Sequence, residues 1–225
     1  MFHDDFDKQV GAHLTSYTSD VPCPICETRK PRRFCPAMQT EICTVCCATG
    51  REESIDCPVN CEYLHEAHLH EKKTELDMSK VPNQDIKVTE SFLQENEMLM
   101  AFTAIAVYEG AAESDTTTDW DIREAFETLI RGYRALHSGL LVQERPANPY
   151  AAAVVTRVQS QIEQVREKEK ETSGMTTISD TALLGVLAFL QRLEYSHNNG
   201  RKRCRAFIDF LSNFYNPPET NPIIP

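Results

Sequence analysis

Eight of the nine cysteines in this chain lie between residues 23 and 61. Cysteine thiolates are preferred ligands of Zn²⁺, and two Cys-x2-Cys pairs supply the four sulfurs of one tetrahedral site. Two such pairs occur here, Cys23/Cys26 and Cys43/Cys46, with 16 residues between them. We predict that these four cysteines share one zinc ion.

Four further cysteines in the same segment offer ligands for a second zinc ion: Cys35, Cys47, Cys57 and Cys61. Cys57 and Cys61 are four residues apart in a predicted helix, so they share one face of it. His65 is an alternative partner for Cys61. Because a helix rises about 1.5 Å per residue, Cys57 and His65 are separated by about 12 Å and cannot bind the same ion. We prefer the Cys57/Cys61 pair and predict two zinc ions in total.

The order of the cysteines, CPIC followed by FC, IC-x2-C and a late pair, resembles the cross-brace zinc modules of the B-box and RING type. The resemblance covers residues 23–61 only. B-box modules tend to place a ligand at the position of Met38, and Cys47 is the candidate substitute here. The resemblance implies a module for binding or assembly more than an enzyme.

Other chemistry for the cysteines is less well matched. The N-terminal residues MFHDDFDKQV contain no apolar core of a secretory signal, so we expect a cytoplasmic protein with reduced thiols. Disulfides and an iron–sulfur cluster remain as alternatives. The stretch HEAHLHE lacks the four-residue histidine spacing of zinc proteases. Sites made of four cysteines are closed, which predicts structural and not catalytic metal.

Charge and hydropathy restrict the partners. The formal net charge of the 225 residues is −11 at pH 7, and an acidic chain is repelled by a phosphate backbone. Nucleic-acid binding is therefore possible only through a local basic patch. The longest apolar run, LLGVLAFL, is too short to cross a membrane. A protein partner fits this composition best, and we expect no membrane partner.

The predicted fold class is mainly α. A small irregular zinc-binding domain, with a short hairpin around FCPA and EIC and a final helix, precedes an all-α domain of about five helices. The predicted divisions are a tail (1–20), the zinc-binding domain (21–78), a linker (79–88), the all-α domain (89–215) and a second tail (216–225).

Apolar periodicity and helix-breaking residues place the helices. The zinc-binding domain ends in a helix from Cys57 to about Leu76, with Asp56 as its N-cap. Asp119 is the predicted N-cap of the second helix in the all-α domain. The five helices of that domain are predicted at 89–111, 119–143, 149–170, 179–197 and 201–215.

A basic patch marks the start of the last predicted helix: Arg201, Lys202, Arg203 and Arg205. A helix N-terminus carries partial positive charge, so cations there need a compensating anion. That anion is either a bound partner or an acidic side chain of this chain, such as Glu194. Cys204, within the patch, is expected to be a buried residue or free thiol and not a metal ligand.

Three functional hypotheses follow. The leading one is a zinc-binding adaptor protein whose helical domain docks a protein partner. The second is a nucleic-acid-associated regulator that uses the patch at 201–205. The third is an enzyme whose site lies in the helical domain, for which the sequence offers no catalytic residues.

Overall fold

The computed structural model of the protein describes residues 21–72, 81–140 and 145–215. The predicted tails (1–20 and 216–225) and the start of the predicted linker (79–80) lie outside these residues. The predicted fold class is confirmed, because the described chain is mainly helical, with one two-stranded hairpin beside the cysteines.

The cysteine-rich part is built from a hairpin and two short helices. Strands β1 (Arg33–Cys35) and β2 (Thr40–Ile42) pair antiparallel, with Phe34 opposite Glu41. Helix α1 (Thr44–Gly50) follows directly and was not predicted, whereas the hairpin was. Helix α2 (Glu62–His70) ends this part. We call residues 21–72 the module.

Six helices follow among the described residues, one more than predicted. They are α3 (Glu90–Glu95), α4 (Glu97–Ala112), α5 (Asp119–His137), α6 (Pro149–Ser173), α7 (Asp180–His197) and α8 (Ala206–Tyr215). The extra helix arises because the predicted helix at 89–111 breaks at Asn96, whose side chain donates to the Phe92 carbonyl. We call residues 81–215 the helical region.

The helical region has one hydrophobic core, in which α4 packs on α6 and α5 packs on both α6 and α7. Gly110 permits the close approach of α4 to α6, because a Cβ there would lie 2.8 Å from the Val154 Cα. The module has its own small core, made of its cysteines with Ile42, Ile55 and Leu64. Val59 of the module packs against the larger core and connects the two.

Two predicted helix starts and one predicted N-cap are wrong. Helix α2 begins after Cys61, which is its N-cap, so Cys57 is not helical, and a turn in which the Cys61 amide donates to the Pro58 carbonyl separates the two cysteines. Helix α8 begins at Ala206 and not at residue 201. The N-cap of α5 is Thr118, which forms a capping box with Asp121, and Asp119 is already helical.

The segment before α3 is non-helical and tied to the helices. Arg134 binds the Asp85 carboxylate at 2.7 and 2.8 Å, and Arg192 donates to the Asn83 and Ile86 carbonyls. Among the described helices none combines the length and the apolar character that crossing a membrane requires.

Candidate metal centre

The first candidate site is the tetrad of Cys23, Cys26, Cys43 and Cys46. Their sulfurs all lie within 4.8 Å of one another, and the Cys26 and Cys43 sulfurs are 3.9 Å apart. Sulfurs about 2.3 Å from a tetrahedral Zn²⁺ are separated by about 3.8 Å. The tetrad can therefore bind a metal ion in a zinc-finger-like arrangement, as the Cys-x2-Cys spacing predicted.

Local backbone geometry aims these thiols inward. Cys43 is the N-cap of α1, and its sulfur accepts the Cys46 amide at 3.4 Å. The Cys23 sulfur accepts the Cys43 amide at 3.3 Å. Three of the four side chains are buried and Cys26 is half-buried. Amide donors stabilise thiolates, and thiolates are the form of cysteine that binds a metal cation.

Protonation differs strongly between neighbouring thiols. Hydrogen bonds from the Thr28 hydroxyl and from the Thr28 and Arg29 backbone lower the pKa of Cys26 to about 5. Burial, together with hydrogen bonds to the other cysteines, raises the pKa of Cys46 to about 12. A bound cation would displace the remaining protons, so metal binding at the tetrad releases protons.

Arg29 supplies positive charge beside the tetrad. Hydrogen bonds to the Cys26 and Cys43 thiols raise the pKa of Arg29. Zn²⁺ with four thiolates carries a net charge of about −2, and a guanidinium contact offsets part of it. Arg29 was not predicted as a functional residue, although its position three residues after Cys26 is a usable signal.

The second cluster consists of Cys35, Cys47, Cys57 and Cys61. Cys35 ends β1, Cys47 lies in α1, and Cys57 and Cys61 flank the turn before α2. Burial, together with the charges of the other three thiols, raises the pKa of Cys57 to about 11, which places these thiols nearby. Among the described residues only the tetrad brings its ligand atoms within 4.8 Å of one another, so the second cluster is more open.

Arg33 places a positive charge beside the second cluster, as Arg29 does beside the tetrad. Its Nη1 lies 3.8 Å from the Cys47 sulfur, and its guanidinium stacks 4.6 Å above the Tyr63 ring. Each group of cysteines thus has one arginine in contact with it. Arg29 and Arg33 both lie in the RKPRR stretch, and their positive charges offset part of the negative charge of the thiolates.

Two histidines of α2 face the helical region. His65 Nδ1 lies 3.1 Å from the Asp209 carboxylate, and His68 lies between Asp209 (2.9 Å) and Glu52 (3.2 Å). Burial alone would lower the pKa of His68, but its hydrogen bonds to Asp209 and Glu52 raise it to about 9. The His68 side chain is 7% exposed, whereas that of His65 is 36% exposed, so only one of the two histidines is buried at this contact.

Glu52 is a buried carboxylate of the module with several polar partners, and no pattern in the sequence indicated its role. It is fully buried, with a left-handed backbone (φ +55°). Its carboxylate accepts hydrogen bonds from the Arg205 amide at 2.6 Å and the Asn199 side chain at 2.7 Å, besides its contact with His68. The loop between α1 and α2 is thereby fixed to the helical region.

The basic patch is largely paired within the chain. Arg205 is 1% exposed and binds Asp56 at 2.7 Å and the carbonyls of Thr117 and Cys57 at 2.9 Å. Arg201 lies 3.3 Å from Glu71. The acidic partners are therefore in the module, and not Glu194 as suggested.

The other two members of the patch differ from each other. Arg203 is 4.0 Å from Asp56 and donates to the Glu53 carbonyl, whereas Lys202 is exposed. The nearby Cys204 is fully buried, and its thiol donates to Asp119 at 3.0 Å. That carboxylate also accepts the Phe207 and Ile208 amides, so Asp119 caps α8 across the core.

Comparison with protein-family models, with curated proteins and with solved structures found no match for this chain.

Proposed function

We propose that this protein is a zinc-dependent interaction protein, in which two structural zinc ions shape the module and the module binds a protein partner. The observation that carries the proposal is the tetrad. Its four sulfurs fill a tetrahedral site completely, and three of the four cysteines are buried. A catalytic zinc needs an open position for water or substrate, which four protein ligands do not leave.

The second zinc ion is assigned to Cys35, Cys47, Cys57 and Cys61. The effect of the other three thiols on the pKa of Cys57 supports this assignment, as does the contact of Arg33 with Cys47. His65 has a different partner in Asp209, which favours Cys57 over His65 as the ligand that joins Cys61. The alternation of ligands along the chain supports a cross-brace of the B-box or RING type.

Five large apolar side chains in residues 21–45 are exposed, with 41 to 65% of their surface accessible: Val21, Ile25, Phe34, Met38 and Val45. We call them the exposed apolar set. Ile25 and Val45 are the central residues of the two Cys-x2-Cys pairs, and Phe34 lies on the outer side of the hairpin. Residues of this kind around a small metal core are suited to contacts with another protein.

The charge near the exposed apolar set indicates the kind of partner. Residues 21–45 contain four basic side chains, all in the RKPRR stretch, and only two acidic ones, Glu27 and Glu41. The chain as a whole has a net charge of −11. We therefore assign the site to a protein segment with apolar side chains that complement the exposed apolar set and with acidic side chains that complement Lys30 and Arg32, two exposed cations of that stretch.

The test begins with a partner identified by affinity purification and then expressed on its own. Its dissociation constant is measured with the wild-type protein and with Ile25→Ala and Phe34→Ala, both checked for zinc content. We expect each substitution to weaken binding at least about ten-fold. Leu69→Ala removes a 70%-exposed side chain outside the exposed apolar set and should leave binding unchanged.

Two results would contradict the proposal. The first is a partner whose affinity is unaffected by both substitutions in the exposed apolar set. The second is binding to RNA or DNA that weakens steeply with salt and depends on the RKPRR stretch, which would favour the nucleic-acid hypothesis instead.

A further inference from the structure

The loop between Cys47 and Cys57 connects the second cluster to the helical region through one residue. The Cys57 amide donates to the Ile55 carbonyl at 3.1 Å and the Ile55 amide donates to the Gly50 carbonyl at 2.8 Å, so the loop that carries Glu52 is tied by its backbone to a proposed zinc ligand. The Glu52 carbonyl accepts the Arg203 amide at 2.8 Å, and its carboxylate accepts the Arg205 amide at 2.6 Å. Glu52 thus lies in a loop that ends at the second cluster, and it binds the segment before α8.

A second connection runs beside the first. The Arg205 guanidinium is 1% exposed and donates to the Cys57 carbonyl at 2.9 Å and to the Asp56 carboxylate at 2.7 Å. The backbone of Cys57 is therefore held at its amide by the Ile55 carbonyl and at its carbonyl by Arg205. A displacement of Cys57 would disturb both connections at once.

Partial opening of the contact between the module and the segment before α8 is energetically unfavourable. Glu52 and Arg205 are buried charged groups, and Asp209 and His68 complete the same polar layer. A buried charge that loses its partner is strongly destabilising, so the layer is expected to be either closed or fully opened to water. A two-state element of this kind can be controlled by a ligand that favours one state.

We propose that zinc binding at Cys35, Cys47, Cys57 and Cys61 controls the docking of residues 199–205 onto the module. This inference rests on the second zinc site of the proposed function. The ion fixes Cys57 and hence the Glu52 loop, and the loop presents its carbonyl and carboxylate to Arg203 and Arg205. Loss of this ion opens the polar layer, whereas the core of the helical region stays packed.

Linkage makes the coupling reciprocal, since docking must strengthen zinc binding by the factor by which zinc strengthens docking. Glu52→Ala removes the carboxylate but no zinc ligand, and it should lower the affinity for the second zinc at least about ten-fold. Glu53→Ala is the matched control, because the neighbouring side chain is exposed. Competition with a chromophoric chelator measures both affinities.

Amide hydrogen exchange tests the docking directly. Native mass spectrometry counts zinc in the wild type and in Cys35→Ser, which removes a ligand on β1. We expect two ions in the wild type and one in the variant, with exchange at the Arg203 and Arg205 amides at least about ten-fold faster in the variant. Stepwise zinc removal from the wild type by a chelator should reproduce this change while the amides of α4 and α6 stay protected.

The outcomes separate the inference from the proposed function. A wild type that binds only one zinc ion overturns the second site and, with it, the inference. Two zinc ions, with unchanged exchange at Arg203 and Arg205 after the second is lost, overturn the inference alone. An equal affinity for the second zinc in Glu52→Ala and Glu53→Ala also overturns it.

Discussion

At the scale of single residues, the histidine between two buried carboxylates is the clearest electrostatic feature. His68 contacts Asp209 and Glu52 at 2.9 and 3.2 Å, and the hydrogen bonds raise its pKa to about 9 against the effect of burial. The contacts with His68 also lower the pKa values of Asp209 and Glu52. His68 is therefore a cation at neutral pH and joins α2 to α8.

This arrangement predicts a pH dependence of stability. The folded pKa of His68 lies above its unfolded value of 6.5, so its stabilising effect is complete below pH 6.5 and is lost as pH rises through about 9. The contribution is at most about 3 kcal/mol. Denaturant unfolding of the zinc-loaded protein between pH 6 and 10 should show a decline that His68→Gln flattens.

The control for this prediction is His70→Gln, which removes an exposed imidazole from the same helix. Its pH profile should match that of the wild type. A wild-type profile that is parallel to that of His68→Gln over the whole range would show that His68 does not titrate in the folded protein as described.

The sequence was informative about single residues only where spacing alone determines geometry. The tetrad could be predicted because two Cys-x2-Cys turns impose the position of their sulfurs. Glu52 could not, because its role depends on contacts with Asn199 and Arg205, about 150 residues away. The pairing of Arg205 with Asp56 could not be predicted either, because a cluster of basic residues has the same sequence pattern whether it binds a partner or an acidic residue of its own chain.

At the scale of elements, helix packing depends on a few close approaches. Gly110 of α4 faces the backbone of α6, and a Cβ there would lie 2.8 Å from the Val154 Cα. Gly132 of α5 is also helical, but a Cβ there would meet nothing within 4 Å. The two glycines therefore have opposite roles, although both lie inside helices.

Alanine at these two positions should have opposite effects. Gly110→Ala must push α4 and α6 apart and should lower the free energy of unfolding by about 1–3 kcal/mol. Gly132→Ala gains helix propensity without a clash and should raise it by up to about 1 kcal/mol. Denaturant unfolding of both variants measures this, and a stabilised Gly110→Ala would contradict the described packing of α4 on α6.

Helix type and order were predictable because long apolar stripes define the cores of α5, α6 and α7. The ends of the helices were less predictable, because they depend on contacts with elements that are distant in the sequence. Helix α8 begins at Ala206, where the Asp119 carboxylate caps it by accepting the Phe207 and Ile208 amides. No local sequence pattern predicts a cap from a residue so far away in the chain. Helix α2 starts late because Cys61 ends a turn from Pro58.

At the scale of the whole molecule, a small module with few aliphatic residues is attached to a well-packed helical region. The module core consists largely of cysteines, so metal must replace the hydrophobic burial that its short sequence lacks. The attachment combines Val59, which packs on the helical core, with the buried polar layer around Glu52 and Asp209. Zinc is therefore expected to stabilise both the module and its docking.

The number and identity of bound metal ions test the central claim most directly. Native mass spectrometry with elemental analysis of the freshly purified protein should find two zinc ions per chain, falling to one in Cys35→Ser and to one in Cys26→Ser. A chain that purifies without zinc, or with iron in its place, would contradict the account of a zinc-shaped interaction module.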